Sequence, residues 1–176
     1  MTLKKYKAKR NLKVSKEPSA KLKKKKSSQL IFVIQEHHAS HLHYDLRLEL
    51  EGVLKSWAVP KPPTLDPSVK RLAIMVEDHP YDYKDFEGAI PSGYGAGTVK
   101  IWDRGTYEVE GEDAEESIKK GLKKGALHFS LKGRKLKGAF YLVHLKNSDK
   151  DNQWLLIKKD DEFAKKESSP KPKKKK

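Results

Sequence analysis

Leu42-His-Tyr-Asp-Leu-Arg-Leu-Glu-Leu50 alternates without a break. Leu42, Tyr44, Leu46, Leu48 and Leu50 fall on one face, and His43, Asp45, Arg47 and Glu49 on the other. A period of two predicts a half-buried β-strand, because successive side chains leave opposite faces of the pleat. Gly52 marks a tight turn, and Val53–Val59, with Trp57, reads as the hairpin partner. Upstream, Leu30–Ile34 is a short apolar run. Downstream, Pro60, Pro62, Pro63 and Pro67 make residues 60–68 a loop. Leu72, Ile74 and Val76 alternate with Arg71, Ala73, Met75 and Glu77 as a further strand, and Asp78–Gly97 is rich in turn residues. Val99–Trp102 and Thr106–Val109 read as a hairpin around Asp103-Arg-Gly105. Asp113 is a suitable N-cap with Glu116 three residues on, and Lys119, Lys120, Lys123 and Lys124 precede Gly125, so one helix is expected between Asp113 and Gly125. Leu127–Leu131, Phe140–Lys146 and Trp154–Lys158 complete the set. About eight short strands and one short helix predict a mainly β fold, a small closed or partly closed β-barrel. There is no internal repeat.

Charge is unevenly placed. The net charge is +15, yet residues 1–27 hold twelve Lys or Arg against Glu17, and residues 164–176 hold seven Lys against Glu167. Residues 28–163 are therefore two charges on the negative side of neutral. The expected organisation is a disordered Lys-rich tail over 1–27, a folded domain over 28–163 and a second Lys-rich tail over 164–176. Such tails attract polyanions through counterion release, without sequence preference. The chain has no cysteine, which excludes disulfides, thiolate metal sites and cysteine nucleophiles. No apolar run approaches the roughly 18 residues of a membrane span, and the basic N-terminus lacks the apolar stretch of a secretory signal. A cytoplasmic protein is expected.

The chemistry lies in Gln35-Glu-His-His-Ala-Ser-His-Leu-His-Tyr-Asp-Leu-Arg47. His43 and Asp45 are two apart on one strand, so their Cα atoms are roughly 6.5–7 Å apart and both side chains leave one face. His37 could return to the same point through a bend near Ser40, but His41 shares the parity of His43 and competes with it. Two imidazoles and a carboxylate form a facial set suited to Mn²⁺, Fe²⁺ or Zn²⁺, with positions left open for water or substrate. Arg47 continues that face, where a guanidinium can grip a phosphate through two oxygens. Arg71 and His79 share a parity and would point to one face if their strand stays extended. His79, as imidazolium or proton donor, could serve a phosphate or a leaving oxygen. Lys61 sits in the proline loop. Tyr94-Gly-Ala-Gly97 is glycine-rich like a phosphate cradle, but no Lys follows in P-loop fashion, so a turn between strands is the simpler reading.

Several stretches resemble a known family. His37-His-Ala-Ser-His-Leu-His-Tyr-Asp-Leu-Arg-Leu-Glu49, Leu54-Lys-Ser-Trp-Ala-Val-Pro-Lys61, Val76-Glu-Asp-His-Pro80, Phe86-Glu-Gly88, Tyr94-Gly-Ala-Gly97 and Trp154-Leu-Leu-Ile-Lys-Lys159 occur in order across most of 30–163. Together they resemble the 3′-phosphoesterase domain of the bacterial end-joining ligases called ligase D, in its stand-alone form. The resemblance implies a Mn²⁺-dependent enzyme on a β-barrel. Such an enzyme trims a 3′-terminal ribonucleoside to leave a 3′-phosphate, then removes that phosphate to leave a 3′-hydroxyl. It puts the metal ligands on His37, His43 and Asp45. It puts phosphate-contacting and catalytic positions on Arg47 and His79, with Tyr83, Lys61, Arg71 and Gln35 in support. The implied partners are DNA or RNA/DNA 3′ ends and a ligase and polymerase of an end-joining system. A monomer is expected. Two other classes fit the residues less well: a cupin-like oxygenase with a two-His, one-carboxylate iron, and a non-catalytic nucleic-acid-binding module with a structural metal.

Overall fold

The computed structural model describes residues 3–12, 15–20 and 29–167. Nine strands form one antiparallel sheet: β1 (Leu30–His38), β2 (Leu42–Leu50), β3 (Val53–Val59), β4 (Lys70–Pro80), β5 (Gly88–Ile90), β6 (Gly97–Glu108), β7 (Ala126–Lys132), β8 (Lys137–His144) and β9 (Gln153–Lys158). The order is β1-β2-β3-β4-β9-β8-β7-β6-β5, and β6 also pairs with β1. That last pairing closes eight strands into a barrel, with β5 an added edge on β6. The expected barrel and its helix are both present. The helix, α2 (Ala114–Lys124), is capped as its sequence requires: the Asp113 carboxylate accepts from the Glu116 N–H at 3.2 Å, and Gly125 ends it in the left-handed conformation.

The barrel interior is filled from alternate positions. Phe32, Ile34, Leu46, Leu48, Leu50, Trp57, Phe129, Phe140 and Leu142 are all buried there. Outside the wall lies a second apolar cluster, in which Val53, Leu54 and Val99 of the strands meet Tyr83, Phe86 and Ile90, together with Leu3 and Tyr6 of the N-terminal segment.

That outer layer corrects two expectations. The N-terminal segment is not a free tail through its described length. A short helix, α1 (Lys4–Ala8), seats Tyr6 in full burial, with its hydroxyl donating to the Pro18 carbonyl. Burying one such side chain contributes about 1.5–3 kcal/mol, enough to hold a Lys-rich segment against the barrel. Residues 1–2, 13–14, 21–28 and 168–176 lie outside the described residues. Nor is β2 half-buried. Every residue from Tyr44 to Leu50 is buried, and on its polar face Arg47 is met by Gln35, Ser56 and the Tyr83 ring. At the other end, the boundary at 163 falls short. The Lys165 and Glu167 N–H groups donate to the Leu65 carbonyl and the Asp66 carboxylate at 2.9 and 2.8 Å.

Asp103-Arg-Gly105 is not a hairpin turn. β6 runs through it unbroken, because the Asp103 carboxylate accepts from the N–H groups of Arg134, Lys135 and Leu136 and so fastens the β7–β8 loop.

Candidate metal centre

The hairpin of β1 and β2 builds the centre. Its turn spans only Ala39–His41, so His37 pairs directly across from His43, and Gln35 from Asp45. This register, rather than a long bend, returns His37 to the point where His43 and Asp45 converge. One donor atom from each of His37, His43 and Asp45 lies within 4.8 Å of the other two. His43 Nδ1 is 2.8 Å from Asp45 Oδ1, and His37 Nδ1 is 3.5 Å from Asp45 Oδ2. The competitors fall away: His41 is exposed in the turn, and exposed His38 pairs with Glu36 at 2.8 Å.

His37 is aimed from behind. Its Nε2 is 2.6 Å from the Gly95 carbonyl, so that nitrogen donates and Nδ1 faces the cluster. A backbone partner of this kind fixes the tautomer of a ligating imidazole. Two glycines permit the approach. A Cβ on Gly97 would sit 2.0 Å from the His38 carbonyl oxygen, and one on Gly95 3.3 Å from the His37 ring, at a positive φ. This is the role of Tyr94-Gly-Ala-Gly97.

Arg47 is buried and held on three sides. Its Nε donates to Gln35 Oε1 at 2.7 Å, Nη1 to Ser56 Oγ at 2.9 Å, and Nη2 to Asp45 Oδ2 at 3.3 Å. Its guanidinium also lies 4.7 Å from the Tyr83 ring. Among the described residues three of its five N–H groups are engaged, and two face no described partner. Gln35 is spent on this positioning: its amide donates to the Tyr83 and Phe86 carbonyls. Burial alone would raise the Asp45 carboxyl. The Arg47 charge and hydrogen bonds from His37 and His43 outweigh it and hold the group well below the usual carboxylate range.

His79 joins from β4. Its Nδ1 donates to the Glu77 carbonyl at 2.9 Å, and its Nε2 lies 3.0 Å from Arg10 Nη2. Burial, then the charges of Arg47 and Arg10, push this imidazole well below its ordinary value, so it is neutral. Of the two roles expected for it, imidazolium or proton donor, this environment disfavours the imidazolium. Arg71 does not accompany it. A register shift pairs Ser56 with Val76 but Leu54 with His79, so one extra β4 residue turns His79 to the face opposite Arg71. Arg71 instead donates to the Pro62 carbonyl at 2.8 Å and pairs with Glu167 at 3.2 Å. Lys61 is exposed beyond β3 and takes no part in the network among the described residues.

The N-terminal segment supplies what the sequence reading missed. Arg10 pairs with Glu17 at 2.8 Å and with Glu77 at 2.9 Å, and the Tyr83 hydroxyl donates to Glu17 at 2.7 Å. Two guanidinium groups, Arg10 and Arg47, thus flank His79. The signal was Glu17, the single acid among the first 27 residues, with one aromatic, Tyr6, amid lysines.

Residues 35–144 match the family described as the DNA ligase D 3′-phosphoesterase domain. The chain belongs to this family. It is 51% identical over 158 residues to the multifunctional non-homologous end joining protein LigD of Pseudomonas aeruginosa, covering 89% of this chain and 18% of that protein. It is 50% identical over 125 residues to the multifunctional non-homologous end joining DNA repair protein LigD of Mycobacterium tuberculosis, covering 70% of this chain and 15% of that protein. With the LigD of Mycolicibacterium smegmatis it shares 41% over 159 residues, 89% of this chain and 20% of that protein. The chain spans a fifth or less of the length of these relatives. Within the ligase D 3′-phosphoesterase match fall His37, His43, Asp45, Arg47, His79 and Tyr83; Arg10 and Glu17 lie before its first residue. Among the described residues, no helix is long and apolar enough to cross a membrane.

Proposed function

We propose that this chain is a Mn²⁺-dependent phosphoesterase acting on 3′ ends of DNA or RNA-containing strands. It removes a terminal ribonucleoside, then the remaining 3′-phosphate, leaving a 3′-hydroxyl for a ligase and polymerase of an end-joining system. The observation that carries this reading is the largely buried face on which His37, half-buried His43 and Asp45 converge while Asp45 also touches Arg47. A face bearing metal donors beside a guanidinium with two free N–H groups suits a phosphoryl group. The donor set also fits the ion: two imidazoles and one carboxylate, with the remaining positions open. Bound there, a divalent cation supplies Lewis-acid charge to a phosphoryl oxygen.

The chain's own residues do the rest. Arg47 offers its two unused N–H groups to the equatorial oxygens, where charge builds in the transition state. Gln35, Ser56 and the Tyr83 ring keep it from turning away. Arg10 adds a second cation, and a phosphate that draws Arg10 from His79 Nε2 frees that nitrogen to take up a proton from water and pass it to the leaving oxygen. Lys61 and Arg71, outside this network, remain at most contacts to a longer strand. Cytoplasmic action and a monomeric state are part of the same proposal.

Incubation with Mn²⁺ under nitrogen, on oligonucleotides ending in a ribonucleotide or a 3′-phosphate, tests it. Loss of one nucleoside followed by release of inorganic phosphate is expected. Absence of both products with every divalent metal tried overturns the proposal, and a requirement for O₂ points to the oxygenase alternative.

A further inference from the structure

A second outer face of the barrel lies one strand away from the metal centre. Asp45 pairs with Ala58 of β3, and Ala58 with Ile74 of β4. With neighbouring strands about 4.8 Å apart, Ile74 stands roughly 10 Å from Asp45 along the wall. From there the outward positions are apolar. Leu72 pairs with Leu155 of β9 and Leu155 with Val143 of β8, while Ile157 pairs with Tyr141 in the next row. Leu72, Ile74, Tyr141, Val143, Leu155 and Ile157 are all partly exposed, and among the described residues none belongs to either buried cluster or packs against one. Single apolar residues on a surface need no explanation, but a continuous patch of them marks an interaction surface.

The rim of this face is basic. Lys70 pairs with Ile157 in register, and Lys124 and Lys159 line a cavity of about 580 Å³ that opens beside Tyr141, between α2 and the strands. All three lysines are exposed, and among the described residues none has an ion-pair partner. Lys55, Lys84, Lys119 and Lys132, by contrast, each hold a carboxylate. The cavity is also lined by Glu110 and by Glu108, the latter paired with Lys132 at 3.0 Å.

An apolar centre, uncompensated cations at the edge and a recess for one anchoring side chain are the anatomy of a protein interface. They set the chemistry of its partner, which is apolar side chains ringed by carboxylates. A second copy would bring lysine against lysine. DNA would match the rim, but aliphatic side chains offer its bases neither a stacking plane nor a hydrogen bond. In the LigD relatives the matching stretch is a fifth or less of the protein, so most of each is protein outside this domain. We propose that this face docks a protein of the same end-joining system, apolar at its centre and carboxylate-rich at its rim. Seated on β4, β9 and β8, that partner borders the place where the 3′-hydroxyl forms. Its identity rests on the phosphoesterase reading.

The test places p-benzoylphenylalanine at position 155 of the full chain, irradiates its native cells and identifies the adducts by mass spectrometry. Release of phosphate from a short 3′-phosphate strand by the purified protein is measured alongside. The expected adduct joins the chain to an end-joining ligase or polymerase, at a segment whose apolar residues are flanked by Asp or Glu. Lys70→Glu combined with Lys159→Glu reverses the rim and leaves the apolar centre intact. It is expected to reduce the adduct roughly 10-fold or more, because like charges then face each other, with phosphate release unchanged. An adduct with a second copy, with DNA or with a protein of unrelated work, an adduct indifferent to the rim reversal, or no adduct at all overturns the docking. Where the wild-type protein still releases phosphate, the docking falls alone; where it does not, the phosphoesterase reading falls with it.

Discussion

The two faces of β2 obey different energetics although one strand carries both. On the inner face Tyr44, Leu46, Leu48 and Leu50 are buried among other apolar side chains, and what holds them is area removed from water. On the outer face Asp45, Arg47 and Glu49 are just as buried, and what holds them is partners: His43 and Arg47 for Asp45, Gln35 and Ser56 for Arg47, the Ile31 N–H for Glu49. An apolar face tolerates loss of one group at a cost set by the cavity. A charged buried face does not, because each removal strands a neighbour.

Breaking the outer face at Asp45 should therefore have the largest effect. In Asp45→Ala, Mn²⁺ binding and 3′-phosphate release are expected to disappear, and stability to fall by about 3–5 kcal/mol as Arg47 loses its counter-charge. Near-normal turnover would remove Asp45 from the metal set. Next comes Arg10→Ala, expected to lower turnover roughly 10²-fold, the scale of one lost donor to a developing oxyanion. A chain lacking residues 1–27 should lose at least as much. Loss of residues 168–176 should instead only weaken DNA binding and flatten its salt dependence, with the rate on a saturating short strand unchanged. Equal rates for the Arg10→Ala and wild-type proteins would return the N-terminal segment to the status of a mere cover.

The inner face answers differently. Leu46→Ala is expected to cost about 2–5 kcal/mol in denaturant unfolding while activity per folded molecule stays the same. The smallest effect is pH-dependent. His79 is held below its ordinary value of 6.5, so below that pH the unfolded chain takes up a proton that the folded chain refuses. Stability is then fully present above pH 6.5 and falls with acid, by at most about 1.4 kcal/mol per pH unit, until the folded group itself titrates. Asp45 and Glu77, both held low, add losses of the same sign at more acid pH. His79→Gln should flatten the first part of the curve; an unchanged slope would mean that another group titrates there.

The inner face was legible because burial by area writes a period. Leu42–Leu50, its hairpin partner Val53–Val59 and the Asp113 cap all carry local signals that the barrel uses unchanged. His43, Asp45 and Arg47 were legible as a face for the same reason. The cover was not. Tyr6, Arg10 and Glu17 act through contacts with residues some 70 positions away, and the lysines around them read as solvent-exposed tail. The parity of Arg71 and His79 misled because a bulge leaves no mark in the alternation of Leu72, Ile74 and Val76. Asp103-Arg-Gly105 has the composition of a turn, yet its carboxylate serves another loop.

One measurement bears most directly on the outer face as a metal-and-phosphate surface: Mn²⁺ occupancy and 3′-phosphate release on the same Arg47→Ala sample. Arg47 touches Asp45 and cannot itself bind a cation, being permanently charged. Metal retained with turnover reduced about 10²-fold or more, and poor recovery in Arg47→Lys, is the predicted result. Metal retained with full turnover would contradict it, leaving Arg47 as nothing more than the counter-charge of Asp45.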